Sequence, residues 1–225
     1  MGKAQVFDEV SSISRQQLII DGLVRHGFSV MPDYFVGELV AGLHEELLGH
    51  LRDGHLQGGH IGKGRQRVRI AGIRGDSILW IDGASAAQRA FLDEMELLRQ
   101  EINRQLFLSL EELETHFAYY PPGTGYQKHR DSFQNDNPRR ISFAVYLNPA
   151  WQCGDGGELL IFRHEEVIAQ IPPRGGTLVC FVSEEFPHQV AVTRSGRASI
   201  AGWFRVREIG AVPVKALAPV KSARA

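Results

Sequence analysis

The sequence predicts an α+β fold that is mainly β: a sandwich or jelly roll of short strands, with helices packed on one side of the sheets. Three observations predict it. The first half carries apolar residues at steps of three and four, the period of a helix buried on one face. After Leu110 the pattern changes to short β runs with turn residues between them, at close and even spacing. The helices precede the strands, which gathers them on one side of the sheets.

Taken in order, Pro32 and Asp33 precede "YFVGELVAGLHEELLGHL", where Val36, Leu39, Val40, Leu43, Leu47 and Leu51 form one helical stripe. A second helix starts at Ser85, with Gln88 three residues on as a capping box. Its stripe is Phe91, Met95, Leu98, Ile102 and Leu106, and both stripes read as ordinary core packing. Between the helices lies a Gly-rich, basic stretch that turns strand-like from Ile78 to Ile81. A connection of that length is either disordered or functional, and the functional reading is preferred. His55 and His60 within it read as exposed loop histidines. The β runs that follow are "THFAYY", "RISFAVYLN", "GELLIF", "EVIAQI", "TLVCFV", "HQVAVT" and "ASIAGWFRV". The tail from Gly210 has no core pattern and is expected to fray. The expected layout is one domain over 1–210, with a helical part at 12–107 and a jelly-roll core at 112–207. A disordered tail, 211–225, follows.

Size and charge narrow the function. A chain of 225 residues is one generous domain. A net charge of −1 gives no reason to expect nucleic acid or an anionic membrane as partner. Cys153 and Cys180 make neither a disulfide framework nor a zinc pattern; buried or partly buried free thiols in a reducing compartment are expected. No apolar run reaches membrane-spanning length, and the opening residues lack a signal-peptide core. Val6 stands where a myristoylation signal wants Ser or Thr. A soluble, cytoplasmic protein is expected, and nothing demands a dimer.

Three His-x-acid triplets are candidates for metal binding. His44 and Glu46 sit mid-helix, where residues two apart point about 200° around the axis from each other. His164 and Glu166 fall in a turn between two β runs, where both would be solvated. His129 and Asp131 differ, because they follow the turn "GTGYQ" into extended chain, where residues i and i+2 share a face. A buried carboxylate there needs a cationic partner, either basic side chains or a metal. His188 opens a later strand, and Arg197 opens the next. Two histidines and one carboxylate form the facial set of mononuclear iron(II) oxygenases. Three ligands leave three positions, two for a bidentate 2-oxo acid and one for O2. Arg197 then has a task, since a guanidinium matches the far carboxylate of a 2-oxo dicarboxylate with two parallel hydrogen bonds. Ser199, two residues on, faces the same way.

At these residues the chain resembles the 2-oxoglutarate- and iron-dependent prolyl hydroxylases, most closely the HIF-type prolyl hydroxylase domains and their bacterial relatives. The likeness runs from about Gly54 to Arg207, through "IRGDSILWIDG", "YYPPGTGYQKHRD", "YLNPAW", "GGELLIF" and "FPHQV…RASIAGWF". It implies a double-stranded β-helix, the cupin-like jelly roll, with iron(II) held by His129, Asp131 and His188. It implies that Arg197 and Tyr146 hold the far carboxylate of 2-oxoglutarate, that Tyr120 lines that pocket, and that Trp203 stands beside the iron. Arg139 or Arg140 is implied to contact a protein substrate, under a mobile loop formed by about Leu56 to Arg69. The implied cosubstrates are 2-oxoglutarate and O2, with ascorbate as an optional reductant. The implied reaction is hydroxylation of a substrate proline at C4. The bacterial relatives suggest translation elongation factor Tu as partner, and the animal ones an oxygen-sensing role. Two departures stand out. Ala201 replaces a threonine of close relatives, so Ser199 takes over that contact, and the loop shares little with the animal enzymes.

The competing readings are a same-fold oxygenase acting on a small molecule or free amino acid, a binding module that kept the fold and lost turnover, and a cupin-like zinc hydrolase. The last leaves Arg197 without a task. Nucleic-acid demethylases of this fold carry a second arginine six residues after the first, and that position here is Trp203.

Overall fold

A computed structural model of the chain describes residues 14–59, 73–131 and 138–207. The 211–225 tail, His60 and most of the Gly-rich segment lie outside the described residues.

In chain order the elements are α1 (Arg15–His26), β1 (Phe28–Met31), α2 (Glu38–Arg52), β2 (Gln57–Gly58), β3 (Ser77–Trp80), α3 (Ala86–Leu106), β4 (Glu112–Tyr120) and β5 (Tyr126–His129). Then follow β6 (Arg139–Tyr146), β7 (Leu159–Arg163), β8 (Glu166–Ile171), β9 (Leu178–Val182), β10 (His188–Val190) and β11 (Arg197–Arg205). They form a seven-stranded sheet of order β1-β9-β6-β11-β4-β3-β2 and a four-stranded sheet of order β5-β10-β7-β8. All the strand pairs within these sheets are antiparallel. The fold is the double-stranded β-helix with helices on the larger sheet.

Local chemistry explains the helix ends. Ser14 caps α1 by accepting the Gln17 N–H, and Gly27, in the left-handed region at φ 78°, closes it. The second helix starts later than its apolar stripe suggests. Asp33 and Gly37 both have positive φ (52° and 60°), which breaks the helix before Glu38. Tyr34 and Phe35 drop into the core instead, and Val36 is left 55% exposed. Ser85 caps α3 as expected, accepting the Gln88 N–H at 3.0 Å. The reciprocal half of the capping box is absent. The Gln88 side chain accepts the N–H groups of Asp82 and Gly83, and donates to Glu46 on α2 at 2.6 Å. Gln88 therefore ties the two helices together. Phe91, Met95, Leu98 and Ile102 are fully buried.

Strand alternation splits the larger sheet into two faces. Phe117, Ile141, Phe143, Val145, Ile200 and Phe204 face the helices and join Ile19, Leu43, Phe91 and Leu98 in one core. Ala118, Tyr120 and Tyr146 belong to a second cluster with Ile161, Phe186 and Val190 of the smaller sheet region. This inner face builds the site. Of the thiols, Cys180 is buried as expected, whereas Cys153 is exposed in the turns before β7.

Candidate active site

Antiparallel pairing of β5 with β10 sets His129 directly opposite His188. The two rings lie 4.2 Å apart between centroids. Each Nδ1 meets a carbonyl oxygen two residues back, that of Gln127 at 2.8 Å and that of Phe186 at 3.1 Å. A carbonyl only accepts, so Nδ1 carries the proton and donates, and Nε2 keeps a bare lone pair. Those lone pairs face Asp131, at 3.8 Å from Oδ1 for His129 and 3.5 Å from Oδ2 for His188. Ser142 of β6, in the larger sheet, donates to Asp131 Oδ2 at 2.7 Å and is itself bonded to Ser183 at 2.8 Å. The carboxylate is thus fixed from one sheet and the imidazoles from the other.

Electrostatics agree with this tautomer. Burial pushes the His129 imidazole down to about 3, with His188 adding to the effect, so the ring is neutral at ordinary pH. Burial by itself would raise Asp131, but positive charge shared with His188 and His129, whether a proton or a bound cation, outweighs it together with the Ser142 hydroxyl and holds the carboxyl at about 2. The Trp203 indole N–H adds to this from nearby, although it makes no hydrogen bond of standard geometry. Three electron-pair donors thus lie within 4.8 Å of one another. Without a proton between them they repel, and a cation relieves that repulsion. Two neutral imidazoles and one carboxylate fit iron(II).

Deeper along the same face, Arg197 is 2% exposed. Its Nε donates to the Gly157 carbonyl at 2.8 Å and one terminal nitrogen to Ser199 Oγ at 3.0 Å. The rings of Tyr120 and Tyr146 each lie 5.1 Å from its guanidinium carbon. Among the described residues no carboxylate is ion-paired with Arg197. The Tyr146 hydroxyl beside it is buried without a hydrogen-bond partner, and burial pushes it up to about 12. Burial likewise raises the Tyr120 phenol. A buried cation and an unsatisfied phenol together can receive a carboxylate. Ala118, Ala144 and Ala201, on adjacent strands of this face, put only methyl groups between that pocket and the triad.

Trp203 stands at the outer end of the face, opposite Ser142. Arg139 lies over it, with the guanidinium carbon 3.4 Å from the ring centroid, and bonds Glu114 at 3.1 Å. A register shift between Phe204 and Arg205, the pairing passing from Ile141 to Arg139, turns Arg139 onto the Trp203 side. Arg140, one residue on, is partly buried and its carbonyl accepts the Ser183 N–H. The structure therefore gathers His129, Asp131, His188, Arg197, Ser199, Tyr120, Tyr146, Trp203 and Arg139 around the space between the two sheets. The other triplets do not converge on an ion. Glu46 is bonded to Ser85 and Gln88, and His164 sits in the β7–β8 turn with φ 56°.

Sequence reasoning missed several contacts. Tyr126 stacks on His129 at 3.6 Å between centroids, and Arg74 lies over Tyr126. Arg74 pairs with the buried Asp76 at 2.6 Å, and Gly59 donates its N–H to the Asp76 carbonyl. The "IRGD" motif, which binds no iron, thereby braces both the metal end of β5 and the base of the Gly-rich segment. For Ser142 and His116 a signal existed: strand alternation puts them on the same faces as Tyr146 and Tyr120.

Fold and site together define an oxygenase dependent on iron(II) and a 2-oxo acid. Residues 115–205 match the family described as the 2OG-Fe(II) oxygenase superfamily. The chain is 30% identical over 203 residues to human prolyl hydroxylase EGLN3, covering 84% of this chain and 82% of that one. A Pseudomonas putida prolyl-4-hydroxylase superimposes with a TM-score of 0.76 at 39% identity, over 85% of this chain and 99% of that one. A Trichoplax adhaerens prolyl hydroxylase, solved with a peptide fragment of the oxygen degradation domain of hypoxia inducible factor, gives 0.76 at 25% identity. That match covers 84% of this chain and 88% of the other. The chain belongs to the 2-oxoglutarate- and iron(II)-dependent oxygenases, and within them it is a prolyl hydroxylase-like protein. Iron(II), 2-oxoglutarate and O2 are the cofactors of that family. Among the described residues no helix is long and apolar enough to cross a membrane.

Proposed function

We propose that this protein hydroxylates a prolyl residue, at C4, in a protein substrate, acting as a cytoplasmic monomer of one domain. The observation that carries the reading is the half-buried His129–Asp131–His188 cluster, with Arg197 deeper between the sheets and ion-paired with no described carboxylate. The 39% identity to a prolyl-4-hydroxylase supports the choice of proline and of C4.

In this reading His129 and His188 hold iron(II) through Nε2, and Asp131 through a carboxylate oxygen. When bound, iron(II) with 2-oxoglutarate and O2 supplies the power to hydroxylate an unactivated carbon, with succinate and CO2 as co-products and ascorbate as auxiliary reductant. Arg197 binds the far carboxylate of 2-oxoglutarate through parallel N–H donors, and Tyr146 donates its hydroxyl to the same group. Ser199 orients the guanidinium, and Tyr120 walls the pocket from water. Ser142 holds Asp131 still, so the acid does not swing away from the histidines. Trp203 shields the reacting end, and Arg139 or Arg140 grips the protein substrate.

Translation elongation factor Tu is the candidate substrate carried by the family resemblance. The test is to incubate purified protein, iron(II) and 2-oxoglutarate with folded elongation factor Tu or with free proline. Mass spectrometry then seeks the gain of one oxygen, and amino-acid analysis separates 4- from 3-hydroxyproline. Oxygen added to free proline but to no protein would overturn the reading. Absence of succinate under every condition would make the protein a binding module.

A further inference from the structure

One histidine stands in the site with no task in the triad or the cosubstrate pocket. His116, on β4, shares the inner face with Ala118 and Tyr120, and lies opposite Trp80 on one side and Ala201 on the other. It is 1% exposed, and its Nδ1 is buried without a hydrogen-bond partner. Trp203 stacks on the ring at 5.6 Å and 30°, and Trp80 meets it at 5.1 Å and 62°. An unsatisfied buried nitrogen costs about 1–3 kcal/mol, which an apolar side chain of similar size would avoid. Among the described residues the nitrogen has no partner, and a ligand can supply one.

Register says what passes by. Trp203 pairs with Ser142, and Ser142 holds Asp131, so Trp203 marks the level of the triad. Trp80 is 47% exposed and marks the mouth. His116 lies between the two, on the way from solvent to the reacting end. Alanine at 201, across from the ring, puts only a methyl group beside it. A prolyl residue has no backbone N–H, so its main chain offers only carbonyl oxygens, and these need a donor. We propose that His116 is a substrate-binding residue whose Nδ1–H hydrogen-bonds a backbone carbonyl of the prolyl peptide, with Trp80 and Trp203 as flanking apolar walls. This rests on the prolyl reading above. Burial, with Arg74 adding to it, pushes the imidazole down to about 3, so the ring stays neutral, with one donor and one acceptor, through the working pH range.

The test uses the full chain loaded with zinc(II), a redox-inert stand-in for iron, and 2-oxoglutarate. A panel of capped peptides with one central proline is titrated by calorimetry, and the His116 ring nitrogens are followed by NMR. Peptides that bind are then turned over by the iron-loaded protein. The Nδ1 resonance is expected to shift on binding. His116→Leu is expected to weaken binding and raise KM about tenfold, with kcat changed far less. His116→Asn, whose amide can donate, should recover most of the loss. Binding of 2-oxoglutarate to each variant checks that the site is folded. If wild type and His116→Leu bind the peptides alike and Nδ1 does not shift, the assignment falls while the prolyl reading stands. If no peptide binds the wild type, the peptide-substrate reading falls and takes the assignment with it.

Discussion

A guanidinium sunk to 2% exposure with no described carboxylate in ion-pair reach is a residue waiting for a ligand. Arg197→Met should raise the KM for 2-oxoglutarate by about 100-fold or more, the scale of losing one side of a buried charge pair. The sharper measurement compares 2-oxoglutarate with 2-oxovalerate, which lacks the far carboxylate. Wild type should prefer the diacid strongly, and Arg197→Met should lose that preference. Two histidines set a pH dependence. His129 and His116 are both held near 3 in the folded protein by burial, below the usual 6.5. In the window between those values the unfolded chain binds more protons than the folded one, so stability is full above about 6.5 and falls as pH drops towards 3. The Tm of metal-free protein should fall through that window, and His116→Met should flatten the slope. The convergence of His129, Asp131 and His188, with Arg197 buried nearby, was legible in the sequence, because residue type and order carry that signal. His116 and Ser142 were not singled out, because their roles exist only once a neighbouring strand brings Trp203 or Asp131 alongside.

Elements decide whether those residues meet. Gly157, just before β7, has φ 70°, and an added Cβ would lie 3.0 Å from the Arg197 side chain and 3.1 Å from Thr193. Gly157→Ala strains the backbone by about 1–2 kcal/mol and pushes on the guanidinium. It should weaken 2-oxoglutarate binding in a titration while leaving the helices intact by circular dichroism. Most β runs were readable from the sequence, "EVIAQI" matching β8 end to end, although "THFAYY" misses the first three residues of β4 and "HQVAVT" runs three residues past β10; alternation and turns are local signals. The start of α2 was not, since the apolar stripe begins at Val36 whereas Gly37, at positive φ, holds the helix off until Glu38. Nor was β1, which joins the edge of the larger sheet beside β9, a pairing with a partner far along the chain. The register shift that delivers Arg139 to Trp203 has no sequence mark either.

At the scale of the whole molecule, the helical layer backs the sheet that carries Arg197, Trp203 and Ser142. Phe91→Ala, at 0% exposure in that layer, should cost about 3–5 kcal/mol, read as a fall in denaturation midpoint. Cosubstrate binding should decline with it, although Phe91 touches no site residue. Metal and cosubstrate bind only the folded state, so zinc(II) with 2-oxoglutarate at 100 times Kd should add about 2.7 kcal/mol. The Tm of wild type should rise and that of Asp131→Ala should not, and a chelator should reverse the rise. The pairing of His129 with His188 also has a consequence for biosynthesis. A ribosome releases the first imidazole and the acid long before the second imidazole, so a nascent or prematurely terminated chain holds two ligands and no third. Such fragments should hold iron(II) or zinc(II) more weakly than the complete chain does, which metal titration of a chain truncated before His188 would show.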